Sequence, residues 1–127
     1  MKKVIKTKNA PNPVGPYSQA IEFNGMLFCS GQIAIVPATD EVLTGDIEKQ
    51  THQVITNIDG VLTEAGYTWN NIVKTTIFLT NMADFAKVNN IYAEKFKELP
   101  PARSTVQVSA LPKGVNVEIE IIACKNA

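Results

Sequence analysis

The chain has 127 residues, 45% of them hydrophobic and 19% charged, and its 12 Lys and Arg balance 12 Asp and Glu for a net charge of zero. That length fits one domain, assigned to residues 1–127, with enough chain to bury a core, while the balanced charge offers no basic surface for a polyanion and so disfavours nucleic acid as a partner. No apolar run nears the roughly 18 residues of a membrane span, "MKKVIKTKNAP" lacks the apolar region of a signal peptide, and two distant cysteines with one histidine, His52, argue for a cytoplasmic protein with reduced thiols and no metal cluster.

Residues 2–7 can form a short strand, and the Pro-, Gly- and Asn-rich "NAPNPVGPYSQA" should be a loop. In "AIEFNGMLFCSG", Asn24-Gly25 separates two runs of strand formers. Both residues tolerate positive φ, which marks a tight hairpin. Residues 37–45 read as a loop. The clearest helix covers 46–66, where Ile47, Thr51, Val54, Ile58, Val61, Leu62 and Ala65 form one apolar stripe. Thr44 or Asp46 can cap its start, and Gly66 suits the left-handed position past its end. Gly60, inside this helix, suggests close packing on a sheet.

"NIVKTTIFLTN" (71–81) is rich in β-branched residues and predicts a strand. A second helix is expected over 84–99, with Phe85, Val88, Tyr92, Phe96 and Leu99 on its apolar face. Asp84 or Asn81 would cap it, and Pro100-Pro101 would end it. "PARSTVQVSALPKGVNVEIEI" then reads as a hairpin with a turn at residues 110–113. Matching the polar faces of its two strands puts Thr105 opposite Glu118 and Arg103 opposite Glu120. The expected fold is α+β: a two-layer α/β sandwich with a six-stranded mixed sheet and two helices on one face. The other sheet face has no segment left to cover it, which points to further subunits.

A guanidinium near two carboxylates can form surface ion pairs worth about 0.2–1 kcal/mol. It can also form an anion site, because its planar fork matches a substrate carboxylate. A nearby glutamate could then hold a water or move a proton.

The Pro-Ala-Arg-Ser block with its distant Glu resembles the signature of the RidA family, also called the YjgF type. The likeness continues in "APNPVGPYSQA", "FCSGQI", "GDIEKQTHQVITNIDGVLTEAG" and "IVKTTIFLTNMADFAKVNNIYAEKF". Ala34 departs from the pattern where many members carry proline, and Thr105 where cysteine is frequent. The resemblance implies a chorismate-mutase-like fold, a homotrimer with clefts between subunits, and no cofactor. It implies hydrolysis of reactive 2-imino and enamine acids, such as 2-aminoacrylate and 2-aminocrotonate, to 2-oxo acids and ammonia. Arg103 would bind the substrate carboxylate, and Glu118, or in its place Glu120, would handle the water. Tyr17, Ser30, Gly31, Asn89 and Thr105 would line the substrate site, Ser30 as a hydroxyl donor. The alternative is a ligand-binding or regulatory module without turnover, since members have been described as translation inhibitors and ribonucleases.

Overall fold

In the computed structural model, which describes residues 1–125, β1 (Lys3–Ile5), β2 (Ala20–Phe23) and β3 (Met26–Gln32) form an antiparallel meander. Its tight turn is the expected one: φ is 50° at Asn24 and 75° at Gly25, and Phe23 pairs with Met26 across it. A small separate hairpin follows, β4 (Ile35–Val36) with β5 (Glu41–Val42). Its strands are too short to carry a period, so this segment reads as plain loop in the sequence.

The first helix, α1 (Ile47–Ala65), has its predicted bounds. Asp46 is the cap, its carboxylate accepting from the backbone N–H groups of Glu48 and Lys49 at 3.0 and 3.1 Å. Gly66 closes the other end with φ 79°. Ile47, Thr51, Val54, Ile58, Val61 and Leu62 are buried, as their spacing requires. Gly60 packs closely, but not on a sheet: a Cβ there would sit 2.3 Å from the carbonyl oxygen of Asn9. Its missing side chain seats the N-terminal loop on the helix.

β6 (Ile72–Leu79) leads through a 3-10 turn at Met82–Asp84 into α2 (Phe85–Ala93). Asn81, not Asp84, supplies the cap, accepting from the Ala83 N–H at 2.9 Å. The helix ends well before the prolines. A turn after Ala93 brings Phe96 onto Tyr92 and Trp69, at centroid distances of 4.7 and 5.6 Å. Leu99, expected on the apolar stripe, is 94% exposed. It has φ 46°, a left-handed backbone conformation that takes it off the helical stripe.

The largest correction concerns the last two strands, β7 (Ala102–Gln107) and β8 (Val117–Cys124). They do not pair. The six-stranded sheet has the order β1-β2-β3-β8-β6-β7. β7 runs parallel to β6, returned by the α2 crossover that parallel pairing needs. β8 inserts between β3 and β6, antiparallel to both. The segment between β7 and β8 is therefore a connection past the end of β6, where Val108 N–H donates to the Leu79 carbonyl at 2.8 Å and Thr80 N–H to that of Asn116 at 3.2 Å. Arg103 registers with Thr75 and Thr105 with Ile77, which in turn oppose Ile121 and Ile119. Glu118 and Glu120 register with Phe78 and Thr76. Arg103 and Thr105 thus lie on the helix side of the sheet, and the two glutamates on the other side.

Both helices cover one face. Their apolar residues pack on Leu27, Ile77, Leu79, Val117, Ile119 and Ile121, giving one core. The opposite face carries Val4, Phe23, Phe28 and Val106, each between 42% and 57% exposed. The six-stranded mixed sheet with two helices on one face is the expected fold. No helix among the described residues is long and apolar enough to cross a membrane.

Candidate active site

A β-bulge builds the first half of the site. The β3–β8 register shifts between Cys29 and Gln32, so Ser30 and Gly31 leave the regular ladder. Bulges of this kind re-aim the chain. Ser30 N–H donates to the Gln19 carbonyl at 2.9 Å, and its hydroxyl donates to the Ser18 carbonyl at 2.6 Å. The Ser30 proton is therefore in use, and toward a ligand its oxygen can accept rather than donate, contrary to the expected role.

Gly31 is needed for space rather than for backbone conformation. A Cβ at this position would lie 2.1 Å from Glu118 Oε2 and 2.7 Å from its Cδ. The glutamate occupies the volume that any other residue would fill. Ser30, Gly31, Glu118 and Glu120 line a cleft of about 600 Å3, with Tyr17, Pro112 and Lys113 on its rim. Tyr17 is 54% exposed, and its hydroxyl accepts from the Val14 N–H at 3.4 Å.

The proline-rich loop that carries Tyr17 is held by Gln19, which sequence reasoning missed. Gln19 is buried, accepts from the Thr7 N–H at 2.7 Å and donates to the carbonyls of Thr7, Ala10 and Pro11. An isolated glutamine carries no pattern that could reveal this.

The electrostatics separate the two glutamates. Burial pushes the Glu118 carboxyl above its ordinary value, and the Glu120 carboxylate adds to the rise. Glu120 is exposed. Glu118, half-buried and poised closer to neutrality, is the better proton-transfer group. Cys29 is no nucleophile: burial is the main cause that drives its thiol up to about 12, with a smaller push from Glu120 opposed by a hydrogen bond from Gln32. His52 is exposed on α1, and no group of three potential metal ligands occurs among the described residues.

The second half lies across the sheet. Arg103 Nη1 donates to Asn89 Oδ1 at 2.7 Å, and its guanidinium carbon sits 5.1 Å from the Tyr92 ring centroid and 5.4 Å from that of Phe85. Arg103, Asn89, Tyr92 and Pro101 line an open hollow of about 430 Å3. Thr105, two residues along, has a buried hydroxyl without a hydrogen-bond partner. The expected residues therefore fall into two groups: Tyr17, Ser30, Gly31 and Glu118 in the cleft, and Asn89, Arg103 and Thr105 at the sheet edge.

The endoribonuclease L-PSP family model matches residues 7–125. A RutC family protein of Pyrococcus horikoshii is 55% identical over 125 residues, covering 98% of this chain and 99% of that protein. The crystal structure of YyfA from Yersinia pestis, described as a protein of unknown function of the conserved Rid family, superposes with a TM-score of 0.96 at 61% identity, covering 98% of this chain and 100% of that one. TdcF of E. coli, solved with bound serine, gives 0.93 at 38% identity, covering 98% and 99%. The chain belongs to this RidA/YjgF-type family, the one that the endoribonuclease L-PSP model describes.

Proposed function

We propose that the protein is an imine deaminase: it hydrolyses 2-imino acids, in equilibrium with enamines of the 2-aminoacrylate and 2-aminocrotonate type, to 2-oxo acids and ammonia. The observation that carries this reading is the state of Arg103. The groups that hold it, Asn89, Phe85 and Tyr92, are all neutral, so its charge stays available to an incoming carboxylate. A charge-assisted hydrogen bond of this kind contributes about 1.5–3 kcal/mol net.

The remaining chemistry needs little. The carbon of a protonated imine is already electrophilic. Ionised Glu118 accepts a hydrogen bond from a water and takes its proton as the oxygen bonds to that carbon. The resulting carbinolamine takes that proton from Glu118 onto its nitrogen, the C–N bond breaks with its electron pair leaving on ammonia, and the C=O bond forms as the hydroxyl proton passes back to the Glu118 carboxylate. Holding water and imine in line can lower the barrier by several kcal/mol, on the order of 7–11 at best. Tyr17 and Ser30 would shape the cleft around the substrate.

Arg103 and Glu118 occupy opposite sheet faces of one chain, so a shared site requires the arginine edge of one chain to meet the glutamate cleft of another. The uncovered apolar face supplies a surface for that association. A homotrimer in the cytoplasm, with clefts between subunits, is the assembly this reading adopts.

Bound serine in TdcF also favours a second reading, a site that binds small amino or oxo acids without turnover. The two are separated by generating 2-aminocrotonate with a threonine dehydratase beside an amine trap. Deamination speeds 2-oxobutanoate formation, and Arg103→Ala loses most of that gain at substrate concentrations below KM. Wild-type protein that matches buffer while still binding 2-oxobutanoate leaves the binding module. The ribonuclease description has less support, because the sole histidine is an exposed helix residue and the charge is balanced.

A further inference from the structure

Arg103 is the only arginine in the chain, and a flexible guanidinium serves a substrate only if it is aimed. One face of α2 does the aiming. Phe85, Asn89 and Tyr92 are spaced four and three residues apart and so stand together. Asn89 takes one N–H, and the two rings stand beside the guanidinium carbon at 5.4 and 5.1 Å. Tyr92 is itself fixed. It is buried, and its hydroxyl shares a hydrogen bond of 2.8 Å with Thr75 Oγ1. Thr75 is also the residue directly beside Arg103 in the sheet. The root of the arginine and the ring that supports its head are thus tied to one threonine.

We propose that Phe85 and Tyr92, with Thr75 behind Tyr92, are positioning residues that aim Arg103 at the substrate carboxylate without spending its charge. This rests on the imine-deaminase reading of the site. A glutamate in place of either ring would hold the guanidinium as firmly but would compete with the substrate. Aromatic faces attract the cation while leaving its net charge in place. A guanidinium has five N–H donors in a fixed fork, and Asn89 engages one of its nitrogens, so donors remain for a ligand.

Because the arginine is unique, its Nε–H group gives a single NMR signal, which reports its surroundings directly. In wild type the neighbouring rings displace this signal from the value of free arginine. In Tyr92→Leu it returns toward that value, Kd for 2-oxobutanoate and KM for the imine rise about tenfold, and kcat stays within about twofold. Tyr92→Phe keeps the ring but loses the hydroxyl anchor, so it shifts the signal, Kd and KM in the same direction by a smaller amount. Should Tyr92→Leu not fold, Thr75→Val, which removes only the hydroxyl anchor, is expected to move the same signal. A signal or a Kd unchanged by loss of the ring overturns the proposal. If Arg103→Ala itself binds 2-oxobutanoate like wild type, the deaminase reading of the site is what fails, and the NMR signal alone then decides the aiming role.

Discussion

Arg103 and Glu118 point away from each other through opposite faces of one sheet. Arg103 stands beside Thr75, on the side covered by the helices, and Glu118 beside Phe78 on the bare side. Parity along a strand fixes this arrangement, since no side-chain rotation moves a residue through the sheet. The residues proposed to act together can therefore meet only across two chains.

Arg103→Ala should reduce kcat/KM by roughly 10- to 150-fold, the range set by losing 1.5–3 kcal/mol of charge-assisted hydrogen bonding. Most of the loss should appear in KM. Arg103→Lys should recover only part of it, because an ammonium lacks the planar fork. Steady-state kinetics with enzymatically generated imine checks both.

Gly31→Ala should act as a mutation of Glu118 made from across the cleft. The new methyl needs the space that holds the carboxylate, and displacing a reacting group by an ångström can cost about 100-fold in rate. The effect should be non-additive with Glu118→Ala, so the double variant is no worse than the poorer single one. Independent, multiplying losses would refute the steric link.

The raised pKa of Glu118 has a definite sign for stability. Folded chains keep this proton at pH values where unfolded chains, with a carboxyl near the ordinary 4.5, have lost it. The contribution is fully present below that value and is lost as pH rises through the higher folded one. Glu118→Gln should abolish this decline, measured as urea midpoints across the acid range. In turnover, Glu120→Gln removes the like charge, lowers the Glu118 pKa and moves the acid limb of kcat/KM to lower pH. An unmoved limb would exclude Glu118 as the titrating group.

Phe28→Lys should disrupt association. Phe28 is 42% exposed in the single chain, and a buried unpaired ammonium in an interface costs several kcal/mol. Light scattering should show the variant dissociating at concentrations where wild type stays assembled. An unchanged mass would place the interface elsewhere.

Local signals made much of this molecule legible. Asn24-Gly25 announces its turn, the stripe from Ile47 to Leu62 announces α1, and a shortage of elements announces the bare face. Long-range pairing was not legible. The alternation of β7 shows which residues share a face, but not which neighbour the strand chooses. Arg103, Thr105 and Gln107 share a face of the edge strand β7, and within one chain Glu118 lies on the opposite face of the sheet. The Gly60–Asn9 contact and the Gln19 bonds join segments distant in sequence, and neither leaves a periodic trace.

The most direct test of the two-chain site mixes two impaired variants, Arg103→Ala and Glu118→Ala, under conditions of subunit exchange, with activity read well below the wild-type KM and mass spectrometry verifying mixed oligomers. Each junction that joins an intact arginine to an intact glutamate regains activity. Random mixing in equal amounts makes that roughly one junction in four, so about a quarter of wild-type turnover should return. Mixed oligomers that remain as impaired as the parents would contradict the account.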